Sequence, residues 1–208
     1  MNNNKGQGAS LKCISPIDDK EKKPKKKGRA YIFLDVDGVL NSDEWYHYYW
    51  ENDLKYTDKE YNLDYRAVER INRLIEATGA EIVLSSSWRF DMDVTKLRLS
   101  RSGLRYEIAK KLPGCEFGVG SPTRGELIAE YVKNQKCKRY VIFDDDTDMT
   151  DEQKEKYFVH TDPFIGLTDA DIDKAIEILS REPERKPRKK RVTKSQLPPL
   201  KEGACDQD

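Results

Sequence analysis

Residues 31–41 read YIFLDVDGVLN. The aromatic and β-branched content of Tyr31–Leu34 suits a buried strand better than a helix, and the run breaks off in Asp35-Val36-Asp37-Gly38. Two further runs have the same form: Glu81–Leu84 ends in three serines, and Arg139–Phe143 ends in three aspartates. A fourth candidate strand, Tyr157–His160, precedes Thr161-Asp162-Pro163. Between these runs the apolar spacing changes to that of helices. Val68, Ile71, Leu74 and Ile75 share a face that Gly79 closes as a C-cap; Leu127, Ile128, Tyr131 and Val132 form a second stripe. Ile172, Ala175, Ile176 and Leu179 form a third, after an N-capping Thr168. Near-continuous apolar strands alternating with amphipathic helices predict an α/β fold, a three-layer α/β sandwich of Rossmann type with a central parallel sheet.

In such sheets ligands bind beyond the carboxyl ends of the strands. Asp35 and Asp37 stand two apart at such an end, so the pleat directs both carboxylates to one side, while Gly38 lets the chain turn closely past a ligand. The aspartates at 144–146 are expected at the same edge. That much carboxylate oxygen repels itself unless a cation or a shared proton intervenes, and suits a hard cation, Mg²⁺ above all. With Mg²⁺ bound, one aspartate can attack phosphorus while a neighbouring acid protonates the leaving oxygen. Ser85–Ser87 and a basic side chain would supply hydrogen bonds to the transferring group. Asp144, Asp146, Asp148 and Glu155 also fall at calcium-loop spacing, but Met149 stands where such a loop needs glycine and the preceding residues read as strand.

YIFLDVDGVLN resembles the first motif of the haloacid dehalogenase-like (HAD) phosphohydrolases, VLSSSWR their strand-end Ser/Thr motif, and VIFDDDTDM their acidic fourth motif, in the order that family has them. The resemblance covers roughly residues 30–180 and is nearest to small HAD domains of the RNA-repair and polynucleotide-phosphatase type. It implies that Asp35 is the nucleophile, forming an aspartyl-phosphate, and that Asp37 protonates the leaving group and then activates water. Mg²⁺ would sit on Asp35, the backbone carbonyl of Asp37 and an acid of the fourth motif, Asp145 or Asp144. The phosphate-binding hydroxyl would be Ser86, two residues before Trp88 as in related T-x-W versions, or Ser85. The basic third motif is read as Arg124, in SPTRGELIAEYV, with Lys138 as the fallback. Arg89 is open between clamping substrate and pairing with a carboxylate. Asp148 is open between supporting the acidic loop and capping a helix near Asp151.

Only about 45 residues separate Asp37 from the serines, leaving little or no room for a cap domain over the site. An uncapped site implies, by the same resemblance, a macromolecular or end-group phosphate. The segment Trp45–Trp50 (WYHYYW) is expected as a flap beside the cleft, its rings either stacking on bases or packing their own small cluster. His47 and His160 are too isolated for a metal site; His160 is read as ending a strand and His47 as part of the aromatic loop.

The chain has 208 residues with equal numbers of acidic and basic side chains, enough for one phosphatase domain, read as 29–180. The neutrality conceals a division. Residues 1–28 carry a net +5, residues 181–208 a net +4, and the 152 residues between them a net −9. Both ends are rich in Lys, Arg and Pro and poor in apolar residues, so they are read as disordered basic tails, either solvated or a foothold on nucleic acid. No apolar run approaches a membrane span, and the N-terminus lacks the apolar stretch of a signal peptide. Cys13, Cys115, Cys137 and Cys205 form no C-x-x-C pair and are read as free thiols in a reducing interior, cytoplasmic, or nuclear in a eukaryotic host. The expected function is Mg²⁺-dependent hydrolysis of a phosphomonoester on a nucleic-acid end or nucleotide. The rivals are a small-metabolite phosphatase and a weakly active module that binds nucleic acid or protein.

Overall fold

The computed structural model describes residues 28–52, 63–108, 110–114 and 120–181. The readings of the two tails, apart from Gly28 and Arg181, and of Cys13, Cys115 and Cys205 lie outside the described residues. Five strands, β1 (Ala30–Leu34), β2 (Glu81–Leu84), β3 (Lys110–Lys111), β4 (Arg139–Asp144) and β5 (Phe158–His160), form one all-parallel sheet in the order β3-β2-β1-β4-β5. The helices are α1 (Asp43–Glu51), α2 (Tyr65–Thr78), α3 (Met92–Arg101), α4 (Arg124–Asn134), α5 (Asp151–Lys156) and α6 (Asp169–Ser180).

The alternation within β1 explains the three layers. Ala30, Ile32 and Leu34 join a core with α2 and α6 on one face, through Val68, Ile71, Ile172 and Leu179. Tyr31 and Phe33 join Leu127 and Ile128 of α4 and Met149 on the other face. Every residue of β1 is buried, as a central strand covered twice requires. The predicted three-layer sandwich is therefore what the chain forms, and the caps at Thr168 and Gly79 fall where they were expected. Cys137 is a buried free thiol, and no helix among the described residues is long and apolar enough to cross a membrane.

Four elements differ from the sequence reading, one of them α3, for which the sequence offered no reading. The aromatic segment expected as a flap is helix α1: Ser42 caps it by accepting from the Trp45 N–H, and Asp43 and Glu44 sit favourably in its first turn. Trp45 and Tyr49, four apart, are buried, so it is the packed cluster of the two alternatives that forms, with Trp45 stacked on Tyr48 and Arg66 over both rings. Strand β3 is only Lys110-Lys111, too short and polar to announce itself. The run Tyr157–His160 splits, Tyr157 capping α5 and only Phe158–His160 pairing with β4.

Chain order runs outward from β1 in both directions, so the topology switches between β1 and β4, the place at the carboxyl edge where open parallel sheets bind ligands. Leu34 pairs with Leu84 on one side and Phe143 on the other. The next residue of each strand, Asp35, Ser85 and Asp144, is thereby brought to that edge in register.

Helix α4 approaches the 149–150 loop so closely that a Cβ on Gly125 would lie 2.7 Å from the Met149 Cα and 2.8 Å from the Thr150 nitrogen. Alanine normally improves a helix over glycine, but these neighbours are backbone and cannot swing away. Gly125→Ala is therefore expected to destabilise the chain by about 1–3 kcal/mol in urea unfolding; an unchanged or raised midpoint would contradict this packing.

Candidate active site

Asp35 follows β1 and remains in its ladder, its N–H donating to the Phe143 carbonyl at 3.0 Å. Its carboxylate is buried and accepts a hydrogen bond from the Ser86 side chain. Asp144, the last residue of β4, is fully buried. One of its oxygens accepts from the Asp146 N–H at 3.0 Å and the other from Arg124 Nη1 at 2.6 Å. The same Nη1 lies 3.3 Å from Asp35 Oδ1. Asp145 completes the group: it lies against Gly38, where a Cβ would stand 2.4 Å from its Cγ, so the turn needs glycine for this approach as well as for its φ of +67°. His160 Nε2, at the end of β5, makes a 2.8 Å hydrogen bond with the Asp145 carbonyl.

Among the described residues, Asp35, Asp144 and Asp145 each offer an oxygen within 4.8 Å of the others. Burial pushes the Asp35 carboxyl up, to about 6, against the pull of Arg124. Burial and then repulsion by Asp35 push Asp144 further, to about 8; burial also raises Asp145. Three carboxylates set against one guanidinium leave an excess of negative charge on hard oxygen donors, and that donor set fits Mg²⁺.

Asp37 is held differently. The turn at 36–41 closes with the Gly38 N–H donating to both the backbone and side-chain oxygens of Asn41, at 3.0 and 3.1 Å. Asn41 Nδ2 then donates to Asp37 Oδ1 at 2.8 Å, and the Trp88 indole N–H donates to Oδ2 at 2.9 Å. Each carboxylate oxygen has its own donor, which fixes the rotation of an otherwise exposed group. Tyr46, from α1, is hydrogen-bonded to the Asn41 side chain, and burial raises its phenol. Asn41, Tyr46 and Trp88 are the partners the sequence reading missed. Their signal was weak: one amide four residues past an aspartate, one ring among the many of WYHYYW, and a tryptophan read only as a marker for the phosphate-binding serine.

The remaining candidates divide. Ser86 is buried, bonds Asp35 and accepts from the Trp88 N–H at 3.3 Å; Ser85 is also buried, and its Oγ has no hydrogen-bond partner among the described residues. Arg124 joins the cluster, whereas Lys138 stands exposed just before β4, at the opposite edge of the sheet. Arg89, read as a clamp or a carboxylate partner, is buried and donates to the carbonyls of Ser85 and Ser86 at 2.8 and 2.9 Å, bracing the strand end from beneath. Asp148 accepts from the Arg124 N–H at 3.1 Å; the cap of α5 is Thr150. Asp148 thus ties the start of α4 to the acidic loop.

Because Asp35 and Asp144 are raised, the folded chain keeps protons that the unfolded chain has released above about pH 4, so stability falls as pH rises through their folded values near 6 and 8. In EDTA, the melting temperature is expected to drop between about pH 5 and pH 8, with a flatter profile in Asp144→Asn and a larger gain from Mg²⁺ at the higher pH. Parallel profiles for the two proteins would refute this account of the cluster.

Residues 31–172 match the family described as the HAD domain in Swiss Army Knife RNA repair proteins. No curated protein and no solved structure matched the chain.

Proposed function

The chain belongs to this family of HAD domains, and from that premise we propose that it is a Mg²⁺-dependent phosphomonoesterase acting on a phosphorylated nucleic-acid end through an aspartyl-phosphate. The observation that carries the reading is the convergence at the sheet's switch point of a buried Asp35, Arg124 and two further carboxylates, with Asp37 clamped on the adjoining turn. The family's association with RNA repair supports an RNA end over a small metabolite.

In the proposed reaction, Asp35 attacks phosphorus in line and the bond from phosphorus to the leaving oxygen breaks, its electron pair staying on that oxygen. Asp37, protonated for this step, gives its proton to the departing alkoxide. As a carboxylate it then takes a proton from water, whose oxygen attacks phosphorus, releasing inorganic phosphate and restoring Asp35. Ser86 and Arg124 adjoin the nucleophile and can donate to phosphoryl oxygens. Asp35, Asp144 or Asp145, with the Asp37 carbonyl, would hold Mg²⁺, which supplies charge neutralisation for an anionic substrate approaching an acidic site. Asn41 and Trp88 are positioning residues: they fix where the Asp37 proton is delivered.

Hydrolysis of p-nitrophenyl phosphate should require Mg²⁺, stop in EDTA, and fall more than about a thousandfold in Asp35→Asn. A panel of 3′- and 5′-phosphorylated oligonucleotides, nucleotides and sugar phosphates reads the substrate class. Turnover retained in Asp35→Asn would sink the mechanism, and preference for sugar phosphates would sink the substrate assignment.

Trp88→Phe keeps an aromatic, though smaller, ring and deletes the donor to Asp37. It should lower kcat about tenfold on a 3′-phosphorylated oligonucleotide, whose leaving group needs a proton, and much less on p-nitrophenyl phosphate, whose leaving group does not, with little change in KM. An equal loss on both substrates would mean that Trp88 is only structural.

A further inference from the structure

A second concave surface lies at the edge of the sheet opposite the acidic cluster. It is a cleft of about 550 Å³ where the strands begin, walled by the end of α4, the 136–138 turn, α5 and the end of α6. Its floor is apolar, with Tyr140 and Tyr157 stacked at 4.1 Å beside Val132 and Ile178. Its cationic lining is Lys133, Lys136, Lys138, Lys156 and Arg181. Lys156 is paired with Glu152, which also lines the cleft, and Arg181 with Glu177. No acidic side chain among the described residues pairs with Lys133, Lys136 or Lys138, and all three are exposed. Lys136 stands in the turn at a φ of +51°.

Two observations indicate what this surface takes. Arg139, at the start of β4, is buried and donates to the Leu179 carbonyl at 2.9 and 2.8 Å and to the Gly28 carbonyl at 2.9 Å. Gly28 and Leu179 are thereby held at one place, beside the cleft that Arg181 lines. Net charge is +5 over residues 1–28, +4 over residues 181–208 and −9 over the 152 residues between, and the carboxylate cluster lies at the other edge of the sheet. Among the described residues, the large exposed apolar side chains, such as Trp50, Phe90 and Phe164, all lie outside the cleft, so the surface lacks the apolar wedge a membrane would need.

We propose that this cleft is a non-catalytic nucleic-acid site, in which Lys133, Lys136 and Lys138 contact the phosphates of a single strand. The site reads charge and lies the length of β4, about 20 Å, from the carboxylates. It does not rest on the phosphatase reading.

The test uses the full chain and a fluorescein-labelled 20-nucleotide single-stranded RNA, with anisotropy followed across a salt series. Lys133→Gln with Lys136→Asn, the asparagine tolerating the left-handed backbone, should weaken binding roughly fivefold or more and lower the slope of log affinity on log salt by about 1.4, at ~0.7 per lost phosphate contact. The arginine pair, Lys133→Arg with Lys136→Arg, should restore both, and melting should be unchanged throughout. Hydrolysis of p-nitrophenyl phosphate on the same samples reads the other site separately and should not move. Unchanged RNA affinity and slope would overturn the proposal, as would an equal loss in the arginine pair. Competition by polyglutamate as strong as by unlabelled RNA would also overturn it, assigning the cleft to acidic protein.

Discussion

The contact on which the site's architecture depends is the guanidinium of Arg124 wedged between two buried carboxylates. Asp35 and Asp144 are delivered side by side by the β1–β4 register, and neither can move without breaking the sheet. Like charges at that spacing would drive the strand ends apart if nothing stood between them. Much of the surrounding structure keeps Arg124 in place. Asp148 accepts from its backbone, Thr123 caps the helix that carries it, and the glycine after it allows that helix to close on the 149–150 loop. Gln153 holds the same junction from the other side, donating to the Gly125 carbonyl.

The arrangement separates two carboxylates of similar sequence context into different environments. Asp35 is buried among charges, while Asp37 sits on an exposed turn with a neutral donor on each oxygen. In the reaction proposed above, the nucleophile must be confined to one line of approach, whereas the acid–base group must meet both the leaving oxygen and water. Burial serves the first and a hydrogen-bonded surface position serves the second.

The central layer was legible because its strands are buried on both faces, which leaves uninterrupted apolar runs that stop abruptly in polar clusters. YIFL, EIVL and RYVIF are each a strand of the sheet. Capping chemistry is equally local, so Thr168 and Gly79 could be read directly. What failed had no local signature or an ambiguous one. Lys110-Lys111 pairs as a strand only because β2 offers it an edge. WYHYYW has an aromatic at nearly every position, and only burial distinguishes Trp45 and Tyr49 from Trp50. The role of Arg89 depends on carbonyls turned towards it by the strand end, which no residue spacing encodes. Arg124 stands twenty residues before Asp144, and its place was inferred from a motif; the ion pairs come from how α4 is set against the sheet.

Arg139 fastens the backbone just before β1 and the last turn of α6 within the reach of one side chain. The polypeptide thus arrives at and departs from the folded unit through a single doorway, on the far side from the carboxylates. A unit of that kind can be spliced into the loop of a host protein, or strung between neighbours, like a bead with both holes on one face. Its chemistry would face outward whatever was attached behind it.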